Sequence, residues 1–295
     1  MANKESSKPR YSEMELRKTR MEIVSMSLSD NVFFVNVMKN VKLFSHILSV
    51  LLGEEMEVIG EIKEVETDCK LDFSLIGRRS ARLDALARDS KGNLCHIEME
   101  NVPARMTARR GRFYSSASDV YSLMPGEDYE MLKKSFHLFF VDGDAVGNGK
   151  IVNIFSRKNQ WGEEYDDGSY IYVINVNALS DDALGRLLRS IKEPDPEKIE
   201  DKVVQEVITF AKGDVDMEIS IHDTKIRFSK EREEALFQEG VRKGIEKGIE
   251  EGIEKEKSSI AIEAMKLGLS RDVIMSLTRL SSEELDMVLE GKEEF

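Results

Sequence analysis

The residues with the clearest capacity for chemistry sit in two short alternating segments, Arg82-Leu83-Asp84 and Ile97-Glu98-Met99-Glu100. Side chains alternate along a strand, so Glu98 and Glu100 share one face with His96 and Leu94, while Cys95, Ile97 and Met99 point to the other. In the first segment Arg82, Asp84 and Leu86 share a face. Asp89-Ser90-Lys91-Gly92-Asn93 lies between the two and has strong turn chemistry, which predicts an antiparallel hairpin. Pairing Arg88 with Leu94 puts Leu86 beside His96, Asp84 beside Glu98 and Arg82 beside Glu100. A slip of one residue would send the acids of the two strands to opposite faces. The first register also lets Leu83, Ala85, Cys95, Ile97 and Met99 share a core.

Like charges opposite each other on a sheet repel. Asp84 against Glu98, flanked by Glu100, therefore calls for a compensating cation. A hard cation such as Mg²⁺, or Mn²⁺ in its place, takes oxygen ligands and keeps waters for a phosphate substrate. It lowers the pKa of a bound water and stabilises charge on a phosphoryl oxygen. The plainer reading is the solvated polar face of a half-exposed hairpin, since polar-out alternation is normal for antiparallel strands.

A second pattern adjoins the first. Residues 78 to 112 carry nine Lys or Arg against four acids, a local +5 inside a chain of net charge −13. Arg105, Arg109 and Arg112 are spaced by four and three, the spacing of one helix face. A basic stripe beside carboxylates suits a phosphodiester backbone, the arginines holding phosphates. Its plainer counterpart is an arginine-rich surface helix. Tyr114 and Phe113 have the chemistry to stack on an unpaired base, with core packing the expectation for Phe113. His96, on the face of the acids, has the chemistry to support them, but a lone histidine is expected to be a packed or solvated polar residue.

The elements that must position these residues follow from periodicity. Residues 1–28 read as a polar lead-in, partly disordered. The spacing of Phe34, Val37, Met38, Val41, Phe44, Ile47, Leu48 and Leu51 predicts one helix from Phe33 to Leu52, capped by Asp30 and stopped by Gly53. A strand is predicted from Val58 to about Thr67, then the hairpin strands Arg82 to Arg88 and Leu94 to Glu100. A helix follows from Arg105 to about Leu123, then a buried strand, Phe136 to Val141. That order suggests a parallel crossover. Further strands are predicted at Ile151 to Phe155 and Tyr170 to Val176, and helices at Asp181 to Ile191, capped by Asp181, and Pro196 to Lys212. After about Ser229, Gly240, Gly244, Gly248 and Gly252 recur every fourth residue in a Gly-Ile-Glu-Lys unit. Charges exclude a bilayer span there and glycines make the helix marginal alone, so a spacer or self-association helix is expected. Two short helices follow between Ile260 and Leu289, with Gly268 as a break and Ser281 to Glu284 as a cap signature. The parts are thus 1–28, a domain at 29–228, the repeat helix at 229–257 and a helix-turn-helix-like tail at 258–295.

Composition bounds the function. The chain has 295 residues, 41% hydrophobic and 34% charged, which suits a globular protein. No window approaches the roughly 20 apolar residues of a membrane span, and the N-terminus has no signal-peptide stretch. Two cysteines make no disulfide framework, so a cytoplasmic setting is expected. Four scattered histidines argue against structural zinc.

Asp84, the turn and Ile97-Glu98-Met99-Glu100 resemble the Asp…Glu-x-Lys signature of the PD-(D/E)XK nuclease superfamily, and most closely its transposase branch of recombination-promoting nucleases. The resemblance extends to the segment Asp30 to Gly53, to Arg110-Gly111-Arg112-Phe113-Tyr114, to Gly126-Glu127-Asp128-Tyr129 with the following apolar strand, and to the glycine repeat and Leu267-Gly268-Leu269-Ser270. It implies an α/β restriction-endonuclease-like core, a mixed central sheet flanked by helices, with a C-terminal helical extension. It implies Mg²⁺-dependent DNA cleavage in recombination or as a transposase-like factor. Asp84 and Glu98 are the implied metal ligands, with Glu100 completing the catalytic group. Arg105, Arg109, Arg110, Arg112 and Tyr114 are the expected DNA contacts. Position 100 departs from the pattern: the superfamily commonly has Lys and this branch Gln. Glu there has the chemistry of a general base on the attacking water. The alternative is a catalytically degenerate nuclease fold that binds DNA or protein. Homo-oligomerisation is expected through the helix at 240–257.

Overall fold

The computed structural model describes residues 11–53, 59–73 and 80–290. The chain divides at Lys225/Ile226 into two compact units. The first is built on a six-stranded mixed sheet in the order β1-β2-β3-β4-β6-β5. Its strands are β1 (Glu66–Leu71), β2 (Ala81–Arg88), β3 (Leu94–Glu100), β4 (Ser135–Val141), β5 (Val152–Phe155) and β6 (Ser169–Asn175). β1, β2 and β3 form an antiparallel meander. β3, β4 and β6 run parallel, and β5 returns antiparallel on β6.

The hairpin register is the expected one, with Arg88 opposite Leu94 and Leu86 opposite His96. Its turn is pinned by Asp89, a buried side chain. The Asp89 carboxylate accepts the N–H of Lys91 and of Asn93 at 2.8 Å and that of Gly60 at 2.6 Å. Gly92 occupies the left-handed region at φ 88°, where a side chain would be strained. β3 is buried along its whole length, because the sheet continues on both sides and helices cover its faces. This corrects the half-exposed hairpin: the acid-bearing face is not solvated. β3 and β4 are joined through the helix α4 (Ala108–Ser122), as the crossover requires.

Several boundaries differ from expectation. The polar lead-in contains α1 (Glu13–Ser25), nucleated by a reciprocal Ser12/Glu15 capping box. The single helix predicted from Phe33 is two, α2 (Asn31–Val37) and α3 (Val41–Leu52), bent by 104°. Asn40 causes the restart: its side chain accepts the Leu43 N–H and caps α3. Asp30 flanks α2 without capping it, its carboxylate accepting the Ser27 N–H instead. The strand expected from Val58 falls later, at β1, and Val58 itself lies outside the described residues. α4 starts at Ala108, because Pro103–Arg105 form a separate 3₁₀ turn and Thr107 caps the helix. α5 (Ala183–Lys192) is capped by Asp182 rather than Asp181, and α6 (Lys202–Gly213) by Asp201.

The repeat belongs to one 52-residue helix, α7 (Val215–Lys266), which begins well before Ser229. Its first turns pack within the first unit, where Glu218 pairs with Arg20 and Thr224 hydrogen-bonds Asn36. The second unit holds the rest of α7 with α8 (Arg271–Thr278) and α9 (Ser282–Leu289). Ala261, Ala264, Ile274, Leu285 and Val288 form its core. Gly268, at φ 77°, makes the turn after α7, and Ser281 with Glu284 forms the predicted capping box. Among the described residues no single helix is long and apolar enough to cross a membrane.

Candidate active site

Asp84 comes from β2, Glu98 and Glu100 from β3, and Arg110 and Tyr114 from the first turns of α4. The β2–β3 pairing runs from Arg88↔Leu94 to Ala85↔Ile97. Beyond it the carboxylates take over the strand donors. The Asp84 N–H donates to Glu98 Oε2 at 3.3 Å, and the Met99 N–H donates to Asp84 Oδ2 at 3.0 Å. The sheet thus opens at the point where the acids meet, and their oxygens satisfy the freed backbone.

Glu98 and Glu100 are only 3% and 6% exposed. Both are held by one guanidinium: Arg110 Nη2 donates to Glu98 Oε1 at 2.7 Å, and Nη1 donates to Glu100 Oε2. Glu100 Oε1 accepts the Val102 N–H at 2.9 Å. The arginine expected beside Glu100 was Arg82. Its guanidinium instead pairs with Asp68 at 3.3 Å, and the clamp on the acids comes from α4. Asp68 is a further acid at the edge of the cluster, on β1 between the pairs Thr67↔Ala85 and Cys69↔Leu83, with φ at 57°. Its charge acts on Asp84.

The electrostatics follow from burial. Desolvation, then the charge of Glu98, holds the Asp84 carboxyl well above its ordinary range. Desolvation pushes Glu98 up to about 7, against the pull of Arg110. Tyr114 is pushed up to about 12, first by burial and then by Glu98. Its hydroxyl receives Arg110 Nη2 at 3.4 Å, and the Arg110 guanidinium lies 5.2 Å from the ring centre. Arg110 pairs with Glu98 and Glu100, and its charge acts on Asp84 as well.

Arg110 and Tyr114 also line a groove of about 670 Å³, with Arg105, Arg109, Thr107 and Phe113 among others; none of the three acids lines it. The expected stripe is therefore redistributed. Arg105 enters from the 3₁₀ turn and Arg109 from α4, both exposed, while Arg110 turns inward onto the acids. Arg112 is exposed and does not line the groove. Tyr114 is packed among His96, Phe113 and Phe139, with ring centres 5.9, 6.4 and 5.9 Å away. Arg78 and Arg79 lie outside the described residues.

Two further residues join the cluster from behind. His96, fully buried, shares a hydrogen bond between its Nε2 and Glu98 Oε2 at 3.0 Å. It is neither solvated nor merely packed. His137 on β4 is its registered neighbour, with Nδ1 3.3 Å from His96 Nδ1. The sequence signal for His137 was a single polar residue in the apolar run Phe136 to Val141; its importance emerges only when β3 and β4 are placed in register.

The carboxylates have the chemistry of a divalent-cation site, and a cation there would favour their ionised forms. In this arrangement, however, Arg110 occupies their inner oxygens, and among the described residues no three His, Cys, Asp or Glu side chains are disposed to hold a metal. Comparison with family models, with curated proteins and with solved structures finds no match for this chain.

Proposed function

We propose that the chain is a Mg²⁺-dependent DNA endonuclease with a restriction-endonuclease-like core, Mn²⁺ serving in place of Mg²⁺. The observation that carries this reading is the cluster of Asp84 with the buried Glu98 and Glu100, held by Arg110, a residue that also lines an arginine-rich groove. Asp84 and Glu98 would hold the cation, which supplies an acidified water and neutralises charge on the scissile phosphate. Arg105 and Arg109 bind flanking phosphates from the rim. Arg110 is the residue that changes partners: a phosphate entering the groove competes with Glu98 and Glu100 for its guanidinium. Glu100, released from that clamp, takes a proton from the attacking water. A role in recombination or transposition rests on the resemblance alone.

The test is cleavage of a labelled duplex with Mg²⁺ and with EDTA, by the wild type and by Glu100→Gln. Loss of a general base costs about 10²- to 10⁴-fold in rate, so Glu100→Gln should cleave at least ~100-fold more slowly while binding the duplex equally well. One observation favours the second reading, a degenerate nuclease fold that binds DNA or protein: Arg110 already bridges the acids. Duplex binding by the wild type without cleavage in either metal would select it.

A further inference from the structure

Behind the acids runs a buried chain of three groups, Glu98 Oε2, the His96 ring and the His137 ring, linked at 3.0 Å and 3.3 Å. Neither ring is exposed at all, and His137 Nε2 has no hydrogen-bond partner among the described residues. A neutral imidazole carries one N–H and one bare nitrogen. The contact between the two Nδ1 atoms has room for one proton, so the two rings together admit two arrangements.

In the first, His96 carries its proton on Nε2 and donates to Glu98. His137 carries its proton on Nδ1 and donates to His96 Nδ1. The orphaned His137 Nε2 is then a bare lone pair. In the second, both protons move to the other nitrogens. His96 Nε2 then turns a lone pair toward the Glu98 carboxylate, and His137 buries an N–H with nothing to receive it. The unpaired His137 Nε2 costs about 1–3 kcal/mol whether bare or protonated, so it does not separate the two. Both Glu98 oxygens accept hydrogen bonds, from the Asp84 N–H and from Arg110, as a carboxylate does, and the facing lone pairs of the second arrangement repel. The first arrangement wins on the His96–Glu98 contact. Both rings are fully buried, which favours their neutral forms.

We propose that His137 is a positioning residue, its Nδ1–H donating to His96 Nδ1 so that His96 directs its Nε2–H onto Glu98 Oε2. Glu98 Oε2 is then filled by two fixed donors, the His96 ring and the Asp84 backbone N–H. Oε1 is held by the Arg110 side chain, which also lines the groove. The chain therefore decides which oxygen of Glu98 stays within reach of an exchangeable partner. That consequence rests on the endonuclease reading; the proton positions do not.

The experiment is nitrogen-15 NMR of the full chain labelled at histidine, without metal or DNA, for the wild type, His137→Leu and His137→Asn. The expected wild-type spectrum assigns a neutral Nε2–H ring to His96 and a neutral Nδ1–H ring to His137, with a nitrogen–nitrogen coupling across their hydrogen bond. Donation into His96 Nδ1 polarises its Nε2–H. The His96 Nε2 proton should accordingly move upfield in His137→Leu and stay in place in His137→Asn, whose amide restores a donor at the Nδ1 position. A wild-type His96 protonated on Nδ1, or an Nε2 proton unmoved in a folded His137→Leu, overturns the proposal. Should His137→Leu fail to fold, the wild-type tautomers and coupling decide alone. Absence of DNA cleavage would overturn the endonuclease reading and leave these spectra unchanged.

Discussion

Glu98 is the residue in which burial and charge meet. Its carboxyl is raised to about 7 in the folded chain, first by desolvation, from an ordinary value of 4.5. A raised acid pKa means the folded state holds the proton more tightly than the unfolded one. Stability linked to this group is therefore complete below pH 4.5 and is lost as pH rises through 7. The shift corresponds to about 3 kcal/mol. Glu98→Gln cannot ionise, so its stability relative to wild type should improve between pH 4.5 and 8, measured by urea unfolding at each pH. A difference that stays flat would show that Arg110 and the hydrogen bonds from His96 and the Asp84 N–H offset the burial of Glu98. Arg110 is the opposite case. Removing one partner of a buried ion pair strands the other charge and costs about 3–5 kcal/mol. Arg110→Met should lower unfolding stability at pH 8 by about 3 kcal/mol, and by less at pH 5, where a protonated Glu98 no longer needs the guanidinium. At this scale much of the site was legible: alternation and the turn Asp89 to Asn93 placed Asp84, Glu98 and His96 together. Arg110 was not legible as the clamp, because spacing groups arginines by helix face and does not say which face meets the sheet. Asp68 gave no signal, since nothing in its neighbours forecasts its left-handed backbone.

Among the elements, α4 and β3 matter most. β3 reads as an amphipathic strand but is buried on both faces, so its polar residues had to find partners within the protein. They did so through Arg110, Glu98 and the histidine pair. The elements themselves were visible in the sequence wherever periodicity was strong, and their ends were lost where a local cap overrode it. Asn40 split one apolar helix in two, and Thr107 delayed α4 past the proline turn. In α7 the glycines at 244 and 248 have open space around an added Cβ, and Ile245, Ile249 and Ile253 are exposed. Glycine in an open helix costs about 0.5–1 kcal/mol relative to alanine. Gly244→Ala with Gly248→Ala should therefore raise helix content by circular dichroism and stabilise the second unit. A loss of stability, accompanied by a change of oligomeric state in sedimentation, would mean that a second chain approaches these glycines closely.

For the whole molecule, charge distribution decides where nucleic acid goes. A chain of net charge −13 repels DNA except where its arginines gather, and the exposed Arg105 and Arg109 at the groove are such a place. Each phosphate contact contributes about 0.9 to the slope of log affinity against log salt. Arg105→Ala and Arg109→Ala should each weaken duplex binding and reduce that slope by about 1, whereas Arg112→Ala, away from the groove, should leave it unchanged. The central claim is that Asp84, Glu98 and Glu100, linked to this groove through Arg110, cut DNA. Its most direct test is nicking of supercoiled plasmid with Mg²⁺, with Mn²⁺ and with EDTA, by the wild type beside folded Asp84→Ala. The account predicts nicking that requires either metal and vanishes in Asp84→Ala. No nicking in either metal, or nicking that survives Asp84→Ala, would contradict it.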